Sequence, residues 1–322
     1  KYYRFDPMIN NWVSIAAGNQ TMEPGKGYIV RAPQGWNTSN ASGGVYSALF
    51  NGVPNNGVVP AVIQKGSGTF NLIGNPYPSA IDIDLFLTDP ANAGIISGTI
   101  YLWTHNTAIS STIPGNQLYN YNADDYAKYN LTGGVQSANP AITGGSAPTG
   151  KVAAGQGFFI EANPALANGT YNATFRNSMR VIGHNNTFYK PTSVVDEPRN
   201  RVQSQIEKNR FWINLTNANG AYNEVLVGYV TGATNEFDNL YDGKTFPAGN
   251  NVSLYTISGA DNYSIQGRAL PFDDSDVIPL GYKTTVANTF TIALENFDGF
   301  FTGQNIYLID HASNTTTNLK EG

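Results

Sequence analysis

Short runs in which apolar and polar residues alternate, or in which aromatic and β-branched residues cluster, recur along the chain. They include GYIVRAP, GTIYLWT, QGFFIEA, RFWINLT, EVLVGYV, VSLYTIS, TFTIALE and NIYLIDH. Each is bounded by Gly, Asn, Pro or Asp, the residues that turn a backbone. A period of two over so few residues marks a strand with one buried face. In the C-terminal third this pattern places strands over roughly 210–217, 224–231, 251–257, 262–268, 282–294 and 304–311. Helical periodicity is scarce. AIDIDLFL reads as a short helix that Ser79 or Asp82 would cap, and NADDYAKYN offers a second. The expected fold class is all-β: tandem β-sandwich-like modules ending in an immunoglobulin-like sandwich.

The pattern breaks once. From Asn185 the sequence turns polar and charged and carries Pro191 and Pro198, and strand-like sequence resumes near Arg210. Residues 185–208 therefore read as a linker, and 209–322 as the C-terminal sandwich. Ahead of it, AAGNQTMEPGKGYIVRAP (16–33) is echoed by VAAGQGFFIEANP (152–164), and YSALFNG by NATFRNS. So long a spacing means tandem modules rather than a solenoid. Residues 71–184 are expected to form a complete β-rich module, with 1–70 as the tail of a preceding one or as part of the same domain. The echoed Gly25-Lys26-Gly27 and Gly155-Gln156-Gly157 are not phosphate loops, because no helix follows. They read as tight turns or bulges entering a buried strand.

Composition sharpens this picture. The chain has 322 residues, enough for two domains. Only 13% of residues are charged, roughly half the usual share, while 34 Gly, 19 Tyr and 16 Phe suit strands joined by turns. Net charge is −5, and the closest approach to a basic cluster (Arg199, Arg201, Lys208, Arg210) falls at the linker, which argues against a nucleic-acid partner. The absence of cysteine excludes disulfides and thiolate metal sites and leans towards export. No apolar run reaches the length of a membrane span. The opening KYYRF reads like the middle of a domain, so the chain is expected to be part of a longer protein.

Candidate chemistry concentrates in NLIGNPYPSAIDIDLFL, residues 71–87. Pro76 and Pro78 fix φ and remove donors, Asn75 can hydrogen-bond the turn, Tyr77 can anchor it, and Asp82 can cap backbone amides. The competing readings are an acid pair for hydrolysis, Asp82 with Asp84, or a calcium loop; the structural corner is preferred. Calcium wants several oxygen ligands on a turn-rich loop, which Asp238 with Asp242, and Asp273 with Asp274 and Asp276, could supply, although solvated turns explain them as well. The three histidines are isolated, and no HExxH or GxSxG motif occurs, so no catalytic residue is nominated. Trp36, in the polar stretch PQGWNTSN, is the candidate ligand contact, since aromatic faces stack on sugars; Trp103 and Trp212 lie in strand-like runs and should be buried.

Several phrases occur in order: FNGVPNNG, NLIGNPYPSAIDIDLFL, YLWTH, DDYAKYNLTGG, AAGQGFFIEA and FRNSMR, then NRFWINLTN, EVLVGYVTGAT, LYDGKTF, YSIQGRALPF, VIPLGY and FDGFFTGQNIYLIDH. This series resembles secreted cell-surface proteins of gliding Flavobacteria and related Bacteroidota, exported by the type IX secretion system and carrying a type C sorting signal. The resemblance implies an extracellular or outer-membrane location and an adhesin-like or filament role. Its partners would be the secretion machinery, and surface glycans or other surface proteins. It implies no catalytic residues to carry over; no cofactor is expected other than the calcium that the acidic loops could hold. The expected function is thus a non-enzymatic adhesin or stalk segment. The alternatives are a carbohydrate-binding appendage of a polysaccharide-degrading enzyme and a hydrolase needing two convergent carboxylates.

Overall fold

A computed structural model describes residues 2–16, 21–30, 51–104, 111, 125–137, 147–185, 188–189, 206–245, 252–285 and 287–321. In chain order the strands are β1 (Tyr2–Asp6), β2 (Asn11–Ile15), β3 (Ile29–Val30), β4 (Val59–Lys65), β5 (Phe70–Gly74), β6 (Ala80–Asp82), β7 (Ile96–Trp103), β8 (Tyr126–Tyr129), β9 (Gly134–Val135), β10 (Lys151–Val152) and β11 (Gly157–Ala162). They continue as β12 (Gly169–Phe175), β13 (Arg180–Val181), β14 (Lys208–Asn217), β15 (Tyr222–Val230), β16 (Gly243–Lys244), β17 (Val252–Ser258), β18 (Asp261–Arg268), β19 (Leu280–Thr284), β20 (Phe290–Phe297), β21 (Tyr307–Asp310) and β22 (Thr315–Asn318). One short α-helix, α1 (Ile83–Leu87), follows β6. The fold is all-β and sandwich-like, as the alternation required. Among the described residues, no helix is long and apolar enough to cross a membrane.

The chain divides into two compact units, and each is assembled from separated stretches. The first holds Lys1–Ser97 and Lys151–Phe188; the second holds Gly98–Gly150 and Tyr189–Gly322. Residues 98–150 thus group with the C-terminal region rather than with the sequence that flanks them.

In the first unit β5 is the organising strand. β11 pairs with it antiparallel, Phe158 opposite Ile73. On the other side the Gly25–Gly27 turn closes on it: the Gly27 N–H donates to the Leu72 carbonyl (3.0 Å), and the Gly74 N–H donates to the Gly25 carbonyl (3.1 Å). The two echoed segments therefore flank one strand within one unit. Both begin with a turn whose glycine has positive φ, +74° at Gly25 and +70° at Gly155. The second glycines differ. A Cβ on Gly27 would lie 2.5 Å from Leu72 Cγ and 2.8 Å from the Ile73 carbonyl, whereas a Cβ on Gly157 would keep 3.5 Å from the Ile73 carbonyl; at Gly155, the first glycine of its pair, a Cβ would meet open space. Gly155→Ala is expected to cost about 1 kcal/mol through its left-handed backbone. Gly27→Ala should cost about 2 kcal/mol or more, because the facing strand must move. Parallel thermal melts check the order; equal losses would mean that the close approach to β5 is unimportant. Beneath these strands Phe86 stacks on Phe175 at 4.6 Å and meets Phe158 edge-on at 6.1 Å. Trp12 closes a second aromatic group edge-on with Phe5 and Phe159.

In the second unit one sheet runs in the order β19-β17-β18-β15-β14-β20, with β16 beside β18. All its pairs are antiparallel except β15 with β18. Alternation along β14 and β15 feeds two cores. Phe211, Ile213, Leu215, Val225, Val227 and Tyr229 face one way, with Phe301 and Ile306. Trp212 and Leu226 face the other, with Ile265 and Val135. This sheet was expected to bury one face; it buries both, which explains why EVLVGYV is apolar almost throughout. Two further expectations are corrected. The single strand over 282–294 is two strands on opposite edges, β19 on β17 and β20 on β14. Residues 126–129 of the second expected helix form β8, paired with β7.

Candidate functional site

Asn75 shows how the 71–87 stretch folds. Its Nδ2 donates to the carbonyls of Ser79 (2.8 Å), Val152 (3.2 Å) and Ala153 (3.0 Å), and its Oδ1 accepts the Tyr77 N–H at 3.0 Å. Pro76 and Pro78 hold the backbone on each side of a Tyr77 ring that is only 2% exposed. The Tyr77 hydroxyl donates to the Gly57 carbonyl at 2.6 Å, and the Pro76 carbonyl accepts from Asn55. Arg180 lies over the ring at 5.5 Å. Asp82 caps α1 by accepting the Asp84 N–H at 3.1 Å, and its other oxygen pairs with Lys151. The stretch is a corner in which each of these polar groups bonds to the fold. Asp84 lies in the first turn of α1, and its backbone N–H is the donor that Asp82 accepts.

The acidic loops of the second unit are likewise turned inward. Asp242, 5% exposed, accepts the Gly267 N–H at 2.8 Å with Oδ1 and the Asp238 N–H at 2.6 Å with Oδ2. Burial, with the neighbouring Asp238 charge, pushes its carboxyl up to about 6 against the pull of these amide bonds. Asp238 in turn accepts from the Thr234 N–H. Asp273 takes both the hydroxyl and the N–H of Ser275, which lower its pKa. Asp274 accepts from Gln304, and Asp276 from Arg268 and the Tyr229 hydroxyl. Asp238 and Asp242 are neighbours. Asp273, Asp274 and Asp276 share a loop but direct their oxygens to different partners. Among the described residues, no group of three or more His, Asp or Glu side chains could hold a metal ion.

A different acidic group, which the sequence reading did not find, is built on β14, β15 and β20. Glu224 is 4% exposed. Its Oε2 accepts the Gln136 N–H at 2.9 Å, and its Oε1 accepts the Tyr222 hydroxyl at 3.0 Å. Asn214 stands directly opposite Glu224 across the β14–β15 pair. Its Nδ2 donates to Glu295 Oε2. Glu295 reaches this place through a bulge: Ile213 pairs with Leu294 and Trp212 with Asn296, leaving Glu295 without a counterpart on β14. Burial first, with the Glu295 charge adding to it, pushes the Glu224 carboxyl up to about 7, although its hydrogen bonds oppose the rise. The Tyr222 and Tyr189 phenols are pushed up as well, by burial and then by neighbouring carboxylates. No sequence motif marks this group, because its members lie on separate strands and one depends on a bulge.

A shallow groove of about 410 Å³ in the second unit is lined by Leu270, Pro271, Phe272 and Phe300, with Glu207 and Thr231 as its polar members. Trp36, the expected ligand contact, and His105 lie outside the described residues. Trp212 is buried, as its strand position implied, and its indole N–H donates to the Gly134 carbonyl at 2.9 Å.

The model of one protein family, described as a domain of unknown function (DUF8693), matches residues 1–322. No curated protein and no solved structure matches the chain. The chain belongs to the DUF8693 family over its whole length.

Proposed function

We propose that this family member is a non-enzymatic extracellular surface protein, an adhesin or stalk segment exported through the type IX secretion system. The observation that carries this reading is the use made of reactive side chains. Asp82, Asp242, Asp276 and Asn75, which the sequence offered as chemistry, bond to backbone amides and carbonyls or to partly buried cations of the same unit. Low charge and a fold of short strands joined by glycine and asparagine turns fit a spacer built to persist outside the cell. A second reading, a carbohydrate-binding appendage, is favoured by the groove that sets Phe272 and Phe300 beside Glu207, since aromatic rings flanked by polar groups suit sugars.

A glycan array probed with the purified chain separates the two. The stalk reading expects no saturable binding, with or without calcium. Saturable binding to one glycan class that is lost on Glu207→Ala or Trp36→Ala would replace it with the appendage reading. Labelling of intact cells with a membrane-impermeant reagent tests location; a chain that is labelled only after lysis would overturn export to the surface.

A further inference from the structure

Two opposite charges are held in position by neutral neighbours. Arg180, partly exposed, opens β13 in the first unit. Its Nε donates to Ser79 Oγ at 2.8 Å, one terminal nitrogen reaches Asn56 Oδ1 at 3.5 Å, and its guanidinium lies over the pinned Tyr77 ring. Among the described residues Arg180 has no carboxylate partner. Glu207 stands exposed at the groove of the second unit. Its N–H donates to Thr231 Oγ1 (3.1 Å), its carbonyl accepts the Thr231 N–H (3.0 Å), and its Oε1 accepts from Asn209 (2.8 Å). Among the described residues it has no ion-pair partner, and no cation lines the groove. Side chains ordered in this way have already lost much of the freedom that an ion pair costs.

Apolar surface accompanies each charge. Ile182, just beyond β13 and two residues from Arg180, is 94% exposed. Beside Glu207, the groove offers Leu270, Pro271, Phe272 and Phe300. A cation with an aliphatic neighbour on one surface and an anion with an apolar floor on another are complementary in both respects. We infer that the Arg180–Ile182 segment of one copy docks into the Glu207 groove of a second copy, Arg180 pairing with Glu207 and Ile182 packing on Phe272 and Phe300. The two surfaces differ, so the contact is heterologous. A copy that gives its segment to one neighbour keeps its groove for another, and association runs head to tail. One charge pair and one aliphatic anchor make a small, weak contact. The inference rests on the stalk reading for its use, since a spacer lengthens by such repetition, but its test does not: a chain that associates and is labelled only after lysis would overturn the stalk and keep the contact.

Sedimentation velocity of the whole chain over a concentration series up to about 1 mM is the test. The average mass is expected to climb past that of a dimer without a plateau, and to fall back as salt is raised. Ile182→Asp alters a side chain that is almost wholly exposed, so it should fold normally while raising the concentration needed for association at least about tenfold. Arg180→Glu and Glu207→Arg should each abolish self-association. An equimolar mixture of these two should recover it, because every contact then joins opposite charges, and misfolded chains would not recover. A chain that stays monomeric throughout the series would overturn the contact. So would a plateau at the dimer, which marks a closed pair, association that persists in Ile182→Asp, or a mixture of the charge variants that stays monomeric.

Discussion

Asn75→Ala is expected to destabilise the protein by about 3–5 kcal/mol. The amide of Asn75 shares its two protons among three carbonyls and accepts one N–H, at a residue 5% exposed. Alanine would leave the carbonyls of Ser79, Val152 and Ala153 and the Tyr77 N–H without these partners, and water reaches such a place only by opening it. Each group left unsatisfied costs about 1–3 kcal/mol, and groups joined in one network are lost together. Asn75→Asp should be no milder. It keeps the acceptor but directs a carboxylate at carbonyl oxygens. Urea denaturation midpoints of the two variants give the measurement. A loss under 1 kcal/mol for both would mean that Pro76 and Pro78 hold the corner without the amide.

The second large effect is a stability that falls as pH rises. Folding lifts the Glu224 carboxyl from an ordinary 4.5 to about 7, so between those values the folded state binds more protons than the unfolded one. Stability from this group is complete below pH 4.5, drains away as pH climbs to about 7, and is flat beyond. The span corresponds to roughly 3 kcal/mol. Asp242 acts in the same sense but over a lower window, from its ordinary 3.8 to about 6. Asp273 and Asp310, whose pKa values are lowered, act in the opposite sense and only below the ordinary 3.8. Above pH 6 the slope therefore belongs to Glu224. Glu224→Gln should remove that slope and melt higher than wild type at pH 8, since glutamine fills the same space without a charge to bury. A wild-type melting temperature that is level from pH 6 to 8 would contradict the burial of this carboxylate.

Much of the strand content could be read directly. β14, β15, β17 and β18 lie within two residues of the expected positions at either end, because each carries a dense run of β-branched or aromatic residues between turn formers. Asp82 could be seen as a cap because it precedes a short apolar repeat. The break between β19 and β20 could not, since TVANT between them keeps enough β-branched residues to look continuous. The grouping of residues 98–150 with the C-terminal unit was equally hidden: alternation tells a strand which face to bury but not which distant strand will cover it. Glu224 reads as an ordinary polar position at the start of β15. Only the register that sets Asn214 opposite it and the bulge that brings in Glu295 make it a site, and both are properties of pairing.

The division of the chain also bears on how it acquires its shape. The first unit needs residues up to Phe188, yet the ribosome has by then delivered Gly98–Gly150, and the rest of the unit to which that segment belongs begins only at Tyr189. Neither unit can finish before the other has begun, so the nascent chain must carry an incomplete sheet across a long interval of synthesis. Closing such long loops is entropically slow. A polypeptide built this way gains from being kept unfolded until its last strand is available, and a cut anywhere between residues 98 and 150 would leave two halves of which neither contains all of its own unit.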